Sequence, residues 1–551
     1  MNPDIPDRPQ VSRRQLLAAM GLASGATAMA GTGQALARAG RTLGRAAAVR
    51  AAGSDLGAVE HVIFLMQENR SYDHYFGTYP LGRGFDDHPA HRLGVFAQAY
   101  PAGKNMHPAK VLLPFRLHRP ADECIKDLSH NWGPMHHCWN HGRMDSWAKV
   151  HTASNLEGNP TGALTMGYYT RQELGYFYSL ADHFTLGDAY HCSVLGPTHP
   201  NRVMQMTGTI DPAGKNGGPI TDTNVDPQVK WTCDWTTVPE LLEDKGVSWK
   251  VYQPSNADIA TMGAKAADYA QLSSYPIWNP ENYDPTSPTV MFTSDNVLLY
   301  FKQYMDPAST LYQKTFVPTY PAQFYNDVQS GNLPSVSWIV PPLGFDEHAS
   351  ASPDHGMWFV STVLDLLASN PAVWSKTVLF LMYDENDGLF DHVSPPVAPM
   401  GTPGEWLTAA TISSTTNGIR GPLGLGVRVP LLVISPFSRG GHIATQRFDH
   451  TSQLKFLEHR FGIHVSNLSA WRRKTVGDLT STLFQSRTVT SFPSIDPQPA
   501  LGTLQTSGPC AEGTQEAEFL GGSDPTLPKK EQRMPTQRGF TVAAHNFRDV
   551  P

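Results

Sequence analysis

The chain has 551 residues, 40% of them hydrophobic and 10% aromatic, with a formal net charge of −7. That is ample length for a large core, and the acidic balance lacks the basic excess of a nucleic-acid binder, so no nucleic-acid partner is expected. No uninterrupted apolar run of about 18 residues occurs, so no membrane-spanning helix is expected, and 47 Gly with 45 Pro point to long loop-rich excursions between core elements.

The N-terminus opens with Ser12-Arg13-Arg14-Gln15-Leu16-Leu17, then a mildly apolar Ala/Gly-rich stretch ending near Ala35-Leu36-Ala37. Paired arginines before a weak hydrophobic region and a small-x-small site fit a twin-arginine signal peptide. Residues 1–37 are expected to be that leader, with the twin-arginine translocon as partner during export and a periplasmic or secreted destination. One large domain is expected over 55–490 and a C-terminal tail over 491–551. The five cysteines show no zinc-type spacing.

Val62-Ile63-Phe64-Leu65-Met66 is a short continuous apolar run, the pattern of a strand buried on both faces, though periodicity alone leaves a buried helix open. It turns polar at once into Gln67-Glu68-Asn69-Arg70-Ser71-Tyr72-Asp73-His74. Residues 77–120 read as an irregular excursion. A His/Trp-dense segment follows, including His130, Trp132, His136, His137, Trp139 and Trp147. Leu174–Phe184 has helical spacing. Gly196-Pro197-Thr198 then precedes an apparent helix over Val203–Thr207, so Thr198 is either a hydroxyl near a helix N-terminus suited to phosphate or an ordinary N-cap. Thr237–Lys245 reads as a helix ended by Gly246, and Val247–Gln253 as a strand. Residues 255–330 read as an insertion. Ser335–Val340 is a strand delivering Asp346-Glu347-His348, Met357–Leu367 a helix, and Thr377–Tyr383 the clearest buried strand, delivering Asp384-Glu385-Asn386-Asp387-Gly388. Val427–Ser435 is one more strand, and Thr451–Phe461 a helix capped by Gly462.

Strands alternating with helices imply an α/β architecture with a mostly parallel sheet covered on both faces. In such a sheet, ligands bind beyond the carboxyl ends of the strands. Three strands end in Glu68-Asn69, Asp346–His348 and Asp384-Glu385, and turns carry Thr198, His130 and His392. A cation held by Glu68, Asn69, Asp384 and Glu385 can bind the Thr198 oxygen and make it a nucleophile. His130, His348 and His392 can hydrogen-bond phosphoryl oxygens or protonate a leaving alkoxide. All-oxygen ligands favour a hard divalent ion such as Ca²⁺.

Four segments carry a family resemblance: Gln67 to Gly77 (QENRSYDHYFG); Ser129-His130-Asn131-Trp132 with Trp139 to Asp145; Gly196 to Arg202 (GPTHPNR); and Tyr383 to Val393 (YDENDGLFDHV). In this order the chain resembles the bacterial phosphoesterase family of non-haemolytic phospholipases C and related acid phosphatases. The resemblance implies an alkaline phosphatase-like α/β/α sandwich with long loop-rich insertions. It implies Glu68, Asn69, Thr198, Asp384 and Glu385 as metal ligands and Thr198 as the nucleophile that becomes a phospho-threonine. His130 and His348 would hold the phosphoryl group, and His392 lies in a family motif. The expected substrate is a phospholipid or other phosphate ester. A phosphatidylcholine-type lipid is preferred, with transient contact at a membrane surface; the alternative is a broad acid phosphatase acting on monoesters. Trp132, Trp139, Trp147, Tyr168, Tyr169, Tyr176 and Tyr178 could line a cage for a choline cation or be ordinary packing.

Overall fold

Seven strands form one sheet in the computed structural model, which describes residues 43–99, 111–118, 125, 127–152, 162–223, 231–253, 295–341, 345–349, 351–484 and 532–537. They are β1 (His61–Gln67), β2 (Thr185–Gly187), β3 (Trp249–Tyr252), β4 (Val336–Ile339), β5 (Thr377–Tyr383), β6 (Leu431–Ile434) and β7 (His442–Ala444), in the spatial order β7-β2-β6-β5-β1-β4-β3. All run in one direction except β6, which is antiparallel to both β5 and β2. The sheet is therefore mostly parallel.

β1 is the centre because its sequence suits no other place. Val62 to Met66 are all buried, each at 3% exposure or less. Each such side chain stabilises the fold by ~1.5–3 kcal/mol relative to exposure. β5 is buried at all seven positions, so both sheet faces are covered. Phe380 meets Phe456 of the helix His450–Phe461, with ring centroids 5.2 Å apart. Tyr383, of opposite parity and so on the other face, meets Tyr75 of the helix Tyr72–Phe76 at 5.5 Å. Helices on both faces of the sheet make an α/β/α sandwich.

Register positions the site. Gln67 pairs with Tyr383, so Glu68 and Asp384 leave neighbouring strands at the same level. The Glu68 N–H donates to the Asp346 carbonyl at 2.7 Å, bringing in the loop that follows β4. The three strand ends singled out in the sequence are thus adjacent, in the order β5-β1-β4.

Several elements differ from the sequence reading. The strand read over 427–435 is Leu431–Ile434 and runs antiparallel, because an apolar run fixes burial and not direction. The helix read from Val203 starts at Thr198 and runs to Thr207. Its first turn, Thr-His-Pro-Asn-Arg, looks polar, yet it is buried. The helix read from Met357 begins at Pro353 after an N-cap from Ser352. β2 and β7 had no sequence signal, at three residues each. Cys138, Cys192 and Cys233 are buried free thiols; Cys124 and Cys510, the signal peptide 1–37 and residues 254–294 of the insertion lie outside the described residues. From the tail, residues 532–537 dock on the excursion: Gln537 donates from Nε2 to the Tyr79 carbonyl at 2.6 Å and accepts from the Asp86 N–H at 2.8 Å.

Candidate active site at the carboxyl edge of the sheet

The chain leaves β1 into a tight polar turn. Asn69 sits at φ 62, a left-handed conformation that Asn tolerates better than most residues. Its N–H donates to Asp384 Oδ1 at 3.0 Å, and the Glu385 N–H donates to the same oxygen at 2.7 Å. Asn69 Nδ2 donates to Asp387 Oδ1 at 3.0 Å. The Asp387 N–H donates to Glu385 Oε2 at 2.6 Å. These bonds lock the ends of β1 and β5 together and use one oxygen of each group. The other oxygens, Asn69 Oδ1, Asp384 Oδ2, Glu385 Oε1 and Asp387 Oδ2, are buried without a hydrogen-bond partner. A buried polar atom left this way costs ~1–3 kcal/mol. Four anionic or carbonyl oxygens in this state fit a hard cation, whose oxygen ligands come from such groups. Burial, reinforced by Asp384 and opposed by His130, pushes the Glu385 carboxyl up to about 8. Burial and then Asp295 and Asp384 raise Glu68 well above the carboxylate range, against the pull of Arg202.

Arg202 is the arginine that the fold sets against these acids, and the sequence alone assigned it no role. It lies in the helix Thr198–Thr207 and is 3% exposed. Its Nη2 donates to Glu68 Oε1 at 2.6 Å and stands 3.4 Å from Asp295; its Nε stands 3.7 Å from Asp384 Oδ2. Thr198 is four residues earlier, on the same helix face, about one turn or ~5 Å nearer the N-terminus. Asn201 fixes the start of this helix. Its Oδ1 accepts the N–H groups of Ser193 and Val194, each at 2.8 Å, and its Nδ2 donates to the carbonyls of Gly196 and Pro197, each at 3.0 Å. The Thr198 side chain makes no cap, so the N-cap reading of that hydroxyl does not hold. The cap position belongs to Pro197.

His130 borders the same acids. Its Nε2 is 3.6 Å from Glu385 Oε1, and its Nδ1 is 3.4 Å from both Asp127 Oδ1 and Asp387 Oδ1. Burial alone would lower it; Glu385, Asp127 and Asp387 outweigh burial and hold it well above the ordinary histidine value. The surrounding acids thus bias His130 towards its protonated form. His348 is buried and lowered by desolvation, so it is neutral; its charged neighbours include Asp127, His130 and Asp384. Its loop is pinned by Arg70, which donates from Nε to the Glu347 carbonyl at 2.9 Å and from Nη2 to the Ala351 carbonyl at 3.3 Å. Beneath it, Glu347 accepts from Tyr75 Oη at 2.5 Å, Tyr383 Oη at 3.0 Å and Gln67 Nε2 at 3.0 Å. Burial pushes it up to about 7. A Cβ on Gly356 would come within 2.1 Å of it, so glycine is required there.

His392 stands elsewhere. Its Nδ1 is 2.7 Å from Asp73 and its Nε2 3.2 Å from Asp87. Arg428 closes this second cluster, donating to Asp391 at 2.9 Å and Asp73 at 3.1 Å and stacking 4.4 Å over Tyr72. Both ring nitrogens of His392 are committed, so it braces the loop after β5 against the excursion. Among the described residues, two acid/histidine groups have ligand atoms close enough to share a metal ion: Asp127-His130-Asp387 and Asp73-Asp391-His392. The second has its charge already matched by Arg428. Five of the seven aromatic residues are packed in the core. Trp132, Trp147, Tyr169, Tyr176 and Tyr178 are at most 1% exposed, and Trp147 and Tyr178 face Phe390 and Phe76 at 5.7 and 5.3 Å.

Comparison with known proteins gives this chemistry its class: the chain is a phosphoric ester hydrolase. More narrowly, it belongs to the Phosphoesterase family, whose model matches residues 59–464. It is 43% identical over 491 residues to phospholipase C B of Mycobacterium tuberculosis, covering 87% of this chain and 88% of that one. It is 39% identical over 491 residues to a non-hemolytic phospholipase C of Pseudomonas aeruginosa, covering 86% of this chain and 61% of the longer relative. A solved structure from Vibrio parahaemolyticus, described as a protein in the alkaline phosphatase superfamily, is aligned over 81% of this chain and 78% of its own at 8% identity and a TM-score of 0.28.

Proposed function

We propose that this chain is a metal-dependent phospholipase C that hydrolyses phosphatidylcholine-type lipids to diacylglycerol and phosphocholine through a phospho-threonine at Thr198. The observation that carries it is the set of unpartnered buried oxygens on Asn69, Asp384 and Glu385, on the strand ends that Arg202 ties to the helix headed by Thr198. The names of the relatives support the phospholipid as substrate.

Glu68, Asn69, Asp384, Glu385 and the Thr198 oxygen would hold a divalent ion such as Ca²⁺, which would supply positive charge to acidify the hydroxyl and offset charge on the phosphoryl group. Thr198, its hydroxyl proton given up to solvent, forms a bond from Oγ1 to phosphorus, and the phosphorus–oxygen bond to the glycerol breaks. His130 gives its proton to the departing alkoxide. Water then attacks the phosphocholine-bearing threonine and returns a proton to His130, the bond from phosphorus to Thr198 Oγ1 breaks to restore the threonine alkoxide, and phosphocholine leaves. His348, neutral, hydrogen-bonds a phosphoryl oxygen. Arg202 holds Glu68 in place and counters the charge of the acids. The reading includes export through the twin-arginine translocon under the leader 1–37, to the periplasm or the medium, and transient contact with a lipid surface.

Thr198→Ala tests the chemistry. Hydrolysis of p-nitrophenyl phosphorylcholine is expected to fall by ~10³-fold or more, and acid-quenched wild-type enzyme is expected to carry a phosphorylcholine mass on the peptide containing Thr198. Full activity in the variant refutes the nucleophile. Much faster hydrolysis of p-nitrophenyl phosphate by the wild type gives the monoesterase instead.

A further inference from the structure

Between β5 and β6 the chain leaves the sheet on a long arm, residues 393–420, before returning. The arm is narrow where it joins the body. Trp406 and Pro422 face each other in an antiparallel bridge, and the Leu423 N–H donates to the Glu405 carbonyl at 2.8 Å. One side of its base is tied to the loop that leads to Thr198: the Leu195 N–H donates to the Leu423 carbonyl at 2.7 Å. The other side is tied to the helix Trp132–Trp139 that follows His130: Trp132 Nε1 donates to the Ile419 carbonyl at 3.1 Å, and the His136 ring lies 3.0 Å from the Pro422 carbonyl. The arm therefore stands at the rim of the site, braced between the nucleophile's loop and the histidine's helix.

At its tip the arm exposes Pro399, Met400, Gly401, Pro403 and Gly404, none of them charged. Met400 is 84% exposed, the most exposed large hydrophobic side chain among the described residues. Beside it opens a cleft of about 600 Å³ lined by Met400, Trp406, Leu407, Thr408, Ala409 and Arg420. The Arg420 guanidinium is turned onto the carbonyls of Ala409 and Ala410. Over residues 393–420 the formal charges are those of Glu405 and Arg420, which cancel; Glu405 is buried at 1% exposure against Arg472 and Ser469, and Arg420 is exposed. On a chain of net charge −7, this neutral apex can meet a zwitterionic surface without repulsion. A lipid whose phosphate lies in the site must also leave its acyl chains outside the rim, where the arm stands.

We propose that the arm 393–420 is the lipid-docking element, with Met400 entering the hydrocarbon edge of a zwitterionic lipid surface and the adjoining cleft receiving acyl chain. This rests on the phospholipase reading and names the surface that serves it. The test compares full-length wild type, Met400→Glu, Met400→Leu and, as a control at the opposite edge of the sheet, Lys376→Glu. Each is assayed on dihexanoylphosphatidylcholine below its micelle concentration and on dioleoylphosphatidylcholine vesicles, and sedimented with the same vesicles. Met400→Glu is expected to lose about tenfold or more on vesicles and in sedimentation, with the monomeric lipid cleaved at the wild-type rate; Met400→Leu and Lys376→Glu stay near wild type. Wild-type vesicle hydrolysis and sedimentation in Met400→Glu overturn the proposal. If wild type cleaves neither lipid, the phospholipase reading fails, while sedimentation still reads docking: loss in Met400→Glu supports the arm, and equal sedimentation overturns it.

Discussion

Replacing Glu385 with Gln is expected to stabilise the metal-free protein while destroying its activity. In the folded chain the Glu385 carboxyl holds its proton until about 8, against 4.5 for the free group, because burial and then Asp384 disfavour its charge. In the unfolded chain it ionises near the lower value. As pH rises through this interval, the unfolded state gives up the proton first and stability falls by ~1.4 kcal/mol per pH unit, levelling off above the upper value. At pH 7 the loss amounts to about 3 kcal/mol. Gln has the same shape and no proton to lose, and its carbonyl can go on accepting the Asp387 N–H, now 2.6 Å from Oε2. Urea unfolding in the presence of a chelator should therefore give the variant the higher midpoint at pH 7–8 and equal midpoints below about pH 4.5. Adding Ca²⁺ should reverse the order. The wild type gains about 2.7 kcal/mol at a hundred times its dissociation constant, and the variant gains less because it has lost an anionic ligand. A variant no more stable than wild type at pH 8 in chelator would refute the account of Glu385 as an uncompensated charge awaiting a cation.

Two other substitutions read the two buried charge clusters separately. Arg202→Gln removes the donor 2.6 Å from Glu68 and is expected to cost about 3 kcal/mol of stability at pH 8 and less as the pH is lowered, because burial and its acidic neighbours make Glu68 take up a proton readily; urea titrations at pH 8 and pH 5 check this. Arg428→Met leaves Asp391 buried without its cation and Asp73 with His392 alone and is expected to destabilise by ~3–5 kcal/mol, while Ca²⁺ affinity, measured by calorimetry on the folded protein, stays within about twofold because that cluster lies apart from the proposed ion site.

The strongest parts of this fold were legible for a simple reason. β1 and β5 are buried on both faces, so their residues are apolar without interruption, and the carboxyl-edge rule for parallel sheets then pointed to Glu68, Asn69, Asp384 and Glu385. Arg202 was not legible, although its segment was noticed. One arginine in a polar-looking turn carries no pattern, and only burial shows that it is the counter-charge for three acids, Glu68, Asp295 and Asp384. Asp387 stood in the segment Asp384 to Gly388 without a role of its own, yet it accepts from the Asn69 amide. His392 misled in the opposite way. It lies in a family-like segment, but its partners, Asp73 and Asp87, are about 300 residues away in sequence, and no local pattern can anticipate them. The direction of β6 and the three-residue strands β2 and β7 were invisible because pairing, not composition, defines them.

The central position of β1 has a consequence for how the molecule comes into being. Ile63 pairs with Ser337 on one side and Leu379 on the other, both made roughly 300 residues later. At ~5–20 residues per second, the most apolar segment of the early chain waits about a quarter of a minute to a minute with both edges bare. Val62 to Met66 have the composition of an aggregation-prone strand. The nascent chain must therefore be shielded until Tyr383, the end of β5, has emerged, and the strand that carries the site is the same one that makes its synthesis hazardous.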